Sequence, residues 1–188
     1  ARGKFRHTNE SPKVGDIVEI DNDFIMKIYE RKNELMRPPL ANIDQVLLVF
    51  SAVEPEISFS LLDRFISLIT YNSIDIVLVI TKLDLLTAEQ IISLKESLKY
   101  YGTMFRVIYT KSITDHNFAD LRIFKDKISV LAGQSGVGKS TLINAISGRN
   151  ILTQPISKSL GRGKHTTRHS ELMEVEGGLV ADTAGFSS

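Results

Sequence analysis

The hydrophobic rhythm of this chain changes once, near residue 40. Residues 14–30, VGDIVEIDNDFIMKIYE, alternate apolar and polar positions around Gly15 and Asp21-Asn22-Asp23. That period of two predicts short antiparallel strands. The compact EIDNDFIMKI suggests a shortened stretch, and both chain ends read as cut, so a fragment is expected. Arg37-Pro38-Pro39 breaks the regularity and reads as a linker. Beyond Ile43 the apolar runs lengthen. QVLLVFS and DIVLVI are continuous, the mark of strands covered on both faces. SFSLLDRFISLITYNS carries helical spacing between them. TAEQIISLKESLKYYG opens on a Thr cap, has Gln90 three residues on and stops at Gly102, which predicts a helix. MFRVIYT reads as a third strand, ISVLAGQSGVGKSTLINAISG as strand, glycine loop and helix, and LMEVEGGLVADTAG as a hairpin entering a polar loop. Strands alternating with helices predict an α/β domain with a mostly parallel sheet.

Composition refines this picture. With 188 residues, 43% hydrophobic and 24% charged, the chain can bury a core in one medium domain, 39–188, beside a small β module with its linker, 1–38. A net charge of +1 excludes a polycation, so nucleic-acid binding would need a local basic face. The absence of cysteine excludes disulfides and a thiolate zinc site within this segment. The N-terminal ARGKFRHTNESPK is basic and polar rather than a secretory leader, and apolar runs such as Ile76–Ile80 are too short to cross a bilayer. A cytoplasmic, membrane-free protein is expected.

The chemistry lies in four loops. Gly133, Gly138, Lys139 and Ser140 satisfy G-x-x-x-x-G-K-[ST], with a strand before and a helix after. The loop Gly133-Gln134-Ser135-Gly136-Val137-Gly138 and the helix start through Thr141 would turn successive N–H groups onto phosphate oxygens. Lys139 would reach the terminal phosphates and Ser140 would ligate Mg²⁺. Thr81-Lys82-Leu83-Asp84 fits the guanine reader Asn-Lys-x-Asp, with Thr81 in place of Asn. Its aspartate accepts from guanine N1–H and the 2-amino group, and its lysine stem packs over the base. Such a tetrapeptide arises by chance in roughly one chain in 20, the phosphate motif in roughly one in 100, so the second anchors the first. Thr110 and Lys111 stand where a second base contact would fall, although YTKS matches it poorly. Asp182-Thr183-Ala184-Gly185 fits the switch D-x-x-G, with Ala184 where Pro is usual. Asp182 would hold Mg²⁺ through a water and the Gly185 N–H would meet the γ-phosphate. Thr166 or Thr167 would join the Mg²⁺ shell when GTP is bound. The surrounding Arg162, Lys164, His165, Arg168 and His169 form either a solvated loop or a mobile switch touching phosphate or RNA.

These parts run in rotated order, with the reader before the cradle. A parallel sheet tolerates this, because the site is built from loops at one edge. Together RGKFR, VGD, ERKNELMRPPLANIDQ, TKLDLL, GQSGVGKSTLIN, LGRGKHTTRHSEL and DTAGF resemble the circularly permuted GTPases of the RsgA/YjeQ/YloQ type, over nearly the whole chain. The resemblance implies an N-terminal OB-fold, here partial and RNA-binding, a permuted GTPase domain, and a C-terminal zinc domain absent from this chain. It further implies slow GTP hydrolysis stimulated by the small ribosomal subunit during its late maturation, binding to that subunit's rRNA, and a site that also takes guanosine tetra- and pentaphosphate. A monomer is expected.

Phe186 occupies the place where many GTPases carry a water-orienting Gln. The resemblance points to His165 as the substitute, since a neutral imidazole accepts a hydrogen bond from water. The other reading leaves His165 a loop residue and has the ribosomal subunit complete the site. Arg2, Lys4, Phe5, Arg6 and His7 form a basic, aromatic-containing arm suited to RNA. The competing classes are a nucleotide-gated rRNA-binding module with incidental hydrolysis, and an ATPase, against which TKLD argues.

Overall fold

In the computed structural model, residues 11–36, 39–111, 121–147 and 172–182 are described. The alternating N-terminal stretch forms β1 (Val18–Asp21) and β2 (Phe24–Ile28), paired antiparallel. Asn22 and Asp23 close the hairpin at φ 46° and 63°, the geometry of a two-residue primed turn. EIDNDFIMKI is therefore one hairpin.

β3 (Glu34–Met36) and β4 (Pro39–Ala41) follow, paired so that Met36 faces Pro39. The expected linker at 37–39 is thus bracketed by a hairpin. Proline heads β4, where a missing ladder donor costs little. Leu35 and Leu40 join the same buried cluster as the large sheet.

The remaining strands are β5 (Gln45–Ser51), β6 (Asp75–Thr81), β7 (Arg106–Tyr109), β8 (Ile128–Ala132), β9 (Leu172–Val175) and β10 (Gly178–Asp182). They form one six-stranded sheet in the order β7-β6-β5-β8-β10-β9. Every pairing is parallel except the edge pair β9–β10. All seven residues of β5 are buried, as its unbroken apolar run predicts.

Strand alternation sorts the core into two layers. Val46, Leu48, Phe50, Leu78, Ile80 and Val130 face one cluster, with Leu62, Phe65 and Ile69 of α1 (Phe59–Tyr71). Leu47, Val49, Val77, Val79, Leu131 and Val180 face the other, with Leu142, Ile143 and Ile146 of α4 (Lys139–Ser147). Each fully buried aliphatic side chain contributes about 1.5–3 kcal/mol, so both faces hold the sheet. Gly178 is required by close approach: a Cβ there would lie 1.7 Å from the Phe124 carbonyl oxygen.

The predicted helix at 87–102 divides into α2 (Ala88–Ser97) and α3 (Lys99–Met104). The capping box is present, with Gln90 N–H donating to Thr87 Oγ1 at 3.3 Å and Thr87 N–H to Gln90 Oε1 at 2.8 Å. Gly102 does not end it. Its N–H donates to Leu98 O at 3.1 Å, and helix continues to Met104 because buried Leu98 and Tyr101 anchor that turn.

Candidate nucleotide-binding site

Parallel strands bring their carboxyl ends to one edge, and the candidate loops leave from there. The reader follows β6, Thr110 follows β7, the glycine loop follows β8, and Asp182 ends β10. Chain order does not disturb this, because strand order in the sheet sets adjacency.

The glycine loop requires its glycines. Gly133 sits at φ 145°, and a Cβ there would lie 2.2 Å from the Val49 carbonyl oxygen. Val137, fully buried, pins the loop to the α4 side of the core. Leu142 N–H donates to Gly138 O at 2.9 Å, closing the first turn of α4. Among the described residues, no hydrogen bond takes up the N–H groups of Gly136, Val137, Gly138 or Ser140. Donors of this kind at a helix N-terminus are suited to an anion. Lys139 Nζ arches over the loop and donates to Gly133 O and Gln134 O, both at 2.7 Å. Ser135, Ser140 and Thr141 are exposed, and Gln134 Oε1 is buried with no hydrogen-bond partner among the described residues.

The reader is bolted to this cradle. Thr81, with no exposed surface, donates through Oγ1 to Val137 O at 2.6 Å and Phe50 O at 3.2 Å. Lys82 is left-handed at φ 61° and opens a 3₁₀ turn, Leu83–Leu85. Its amine donates to the Glu54 carbonyl. Asp84 is exposed at the edge, while Leu83 is buried. Leu83 N–H donates to Thr110 O at 3.2 Å, and Thr110 Oγ1 donates to Lys111 O at 3.1 Å. Thr110 thus supports the reader turn through its carbonyl. The segment around Glu54 was not flagged by any sequence motif; its signal is only that it follows a buried strand at the same edge.

Among the described residues, the exposed Ser140 hydroxyl lies in the first turn of α4, and Asp182 stands at the end of β10, beside β8 in the sheet. Oxygen donors without sulfur fit Mg²⁺, which takes few protein ligands and completes its shell with phosphates and water. His165, Thr166, Thr167 and Gly185 lie outside the described residues, as do the N-terminal basic arm, Ala184 and Phe186.

The family model described as RsgA GTPase matches residues 28–188. The chain belongs to the RsgA GTPase family. Family relatives include the small ribosomal subunit biogenesis GTPase RsgA of Bacillus subtilis, 50% identical over all of this chain and 66% of its own length. That of Halalkalibacterium halodurans is 49% identical over the same shares. The chain therefore spans just under two thirds of these curated relatives. Among solved structures, the circularly permuted GTPase YloQ matches with TM-score 0.77 and 44% identity, covering 100% of this chain and 62% of that one. YjeQ from Thermotoga maritima matches with TM-score 0.78 and 35% identity, covering 99% and 65%. The RsgA family fold, a circularly permuted GTPase, is the fold of this chain.

Proposed function

We propose that the chain is the nucleotide-binding part of an enzyme that hydrolyses GTP to GDP and phosphate during late maturation of the small ribosomal subunit. The observation that carries this is the Thr81 hydroxyl on the Val137 carbonyl at 2.6 Å, which joins a guanine reader to a phosphate cradle. Relatives named as small-subunit biogenesis GTPases support the biological setting.

In this reading Asp84 selects guanine and Lys82 covers the base. The loop amides of 133–141 and Lys139 hold the phosphates, as would Gly185 N–H, and Lys111 lies beside the base. Ser140, Asp182 and Thr166 or Thr167 hold Mg²⁺, which when bound neutralises charge on the β- and γ-phosphates. His165 orients the attacking water by accepting its hydrogen bond. The same cradle takes guanosine tetraphosphate, whose 5′-diphosphate matches GDP, and guanosine pentaphosphate, whose 5′-triphosphate matches GTP. Residues 1–38 belong to an rRNA-binding OB-fold module, and residues 39–188 are the GTPase domain. The protein is a cytoplasmic monomer, and zinc belongs to a further domain outside this chain.

Hydrolysis by the full-length protein, with and without small subunits, beside His165→Ala, tests the reading. Strong stimulation lost in the variant is expected. Stimulation that survives moves the water-orienting contact to the subunit. No stimulation favours a nucleotide-gated rRNA-binding module with incidental hydrolysis.

A further inference from the structure

The reader lysine is held before any ligand arrives, and the holder lies in a loop that the motifs leave out. β5 ends at Ser51, paired in register with Thr81, the last residue of β6. The chain then turns through Ala52–Ile57 towards α1. Ser51 has no exposed surface. Its Oγ accepts from Val53 N–H at 3.3 Å and Glu54 N–H at 3.2 Å. A hydroxyl that takes the amides two and three residues ahead folds the backbone into a tight turn. Ala52 N–H donates to Thr81 O at 2.9 Å and fastens that turn to the reader strand. The turn places the Glu54 carbonyl where the Lys82 amine meets it.

We infer that Ser51 is a positioning residue for guanine nucleotide binding, acting through the Glu54 carbonyl on Lys82. The inference rests on the proposed reading of this edge as a guanine-nucleotide site. A lysine stem has large rotamer freedom, and whatever is fixed in the free protein is not lost again on binding. Tethering the amine at Glu54 lays the stem along the edge where the base would lie. Lys82 is already committed to its strained left-handed backbone, so the tether selects its side chain rather than its fold. Without the Ser51 hydroxyl, both amides turn to water, the Glu54 carbonyl is no longer fixed, and Lys82 returns to a spread of rotamers. The effect falls on binding and not on the chemical step, because the group being positioned, the Lys82 amine and stem, is the one proposed to cover the base rather than the phosphates.

Binding of methylanthraniloyl-GDP to the full-length protein tests this in a double-mutant cycle of Ser51→Ala and Lys82→Ala. Ser51→Ala is expected to weaken binding about threefold to tenfold, the size of one lost structural hydrogen bond. It is also expected to raise KM for GTP with kcat unchanged. In the Lys82→Ala background, Ser51→Ala should add almost nothing, since the group it positions is gone. A purely structural role would give the same loss in both backgrounds, and that result overturns the inference. So does unchanged affinity in Ser51→Ala. Failure of the wild-type protein to bind guanine nucleotide sinks the proposed function itself and this inference with it. Normal wild-type binding with additive variants sinks the inference alone.

Discussion

Thr81 has one proton to share where the asparagine usual at that position has two. It spends that proton mainly on Val137 O at 2.6 Å, with Phe50 O at 3.2 Å the weaker partner. Thr81→Val keeps the shape, removes the hydroxyl and strands buried acceptors. It should cost about 1–3 kcal/mol in urea unfolding without nucleotide, and Thr81→Ser should recover most of it. An unchanged midpoint in the valine variant would show that the contact carries no weight. The strand–glycine loop–helix unit around Gly133, Gly138 and Lys139 was legible from sequence because it is built from consecutive residues. The Thr81–Val137 contact was not legible, because it joins positions far apart in the chain. Nor was Ser51, since a serine at a strand end has no signature beyond the backbone turn it makes.

Helix α2 buries none of its residues, so its ends matter more than its face. Its first turn hangs on the Thr87–Gln90 capping box. Thr87→Ala should cost about 1 kcal/mol. The loss should appear locally, as faster amide exchange at residues 88–92, with little change in the global melting midpoint. Uniform exchange in wild type and variant would contradict it. The start of this helix was readable because a capping box is written in four consecutive residues. Its end was not, because glycine stops a helix only when no neighbouring side chain anchors that turn. Here Tyr101 stacks on Phe59 with ring centroids 6.1 Å apart and donates from its hydroxyl to Asp63 Oδ1 at 2.8 Å. Those contacts tie the Gly102 turn to α1.

At the scale of the whole molecule, polar contacts tie the N-terminal strands to the sheet, beside the apolar contact of Leu35 and Leu40. Arg31 forks onto Asp16 at 2.7 and 2.9 Å and onto Glu34 at 2.6 Å, and Lys13 meets Glu34 at 2.7 Å. Asn33 brackets Ile43 through both its amide atoms at 2.8 Å, and Asn42 reaches Lys32 N–H and Gly15 O. Lys32 pairs with Asp44, whose other oxygen accepts from Ile128 N–H at 2.7 Å, at the foot of the strand leading to the phosphate loop. Burial opposes ionisation of Asp16, but Arg31 and the Lys13 amide outweigh it and lower its pKa. Lys13 and then Arg31 lower that of Glu34. Both folded values lie below the unfolded ones. Their stabilisation is complete above about pH 5 and is lost as pH falls through the folded values. Arg31→Met leaves the Asp16 side chain, 2% exposed, with the Lys13 N–H but without its guanidinium partner, and should cost roughly 3 kcal/mol. Urea unfolding at pH 7 and in mild acid should show that deficit shrinking as Asp16 protonates; a deficit independent of pH would contradict it. The two-sided sheet was legible in the apolar runs, but its strand order was not, since register is decided by partners distant in sequence. That order has a consequence for synthesis. β5, β6 and β7 emerge before β8, so the base-reading half forms first with one long edge of β5 unpaired. At about 5–20 residues per second, that edge waits several seconds for its neighbour. Newly made chains are therefore most prone to mispair through that edge in that interval, before the strand that carries the phosphate loop covers it.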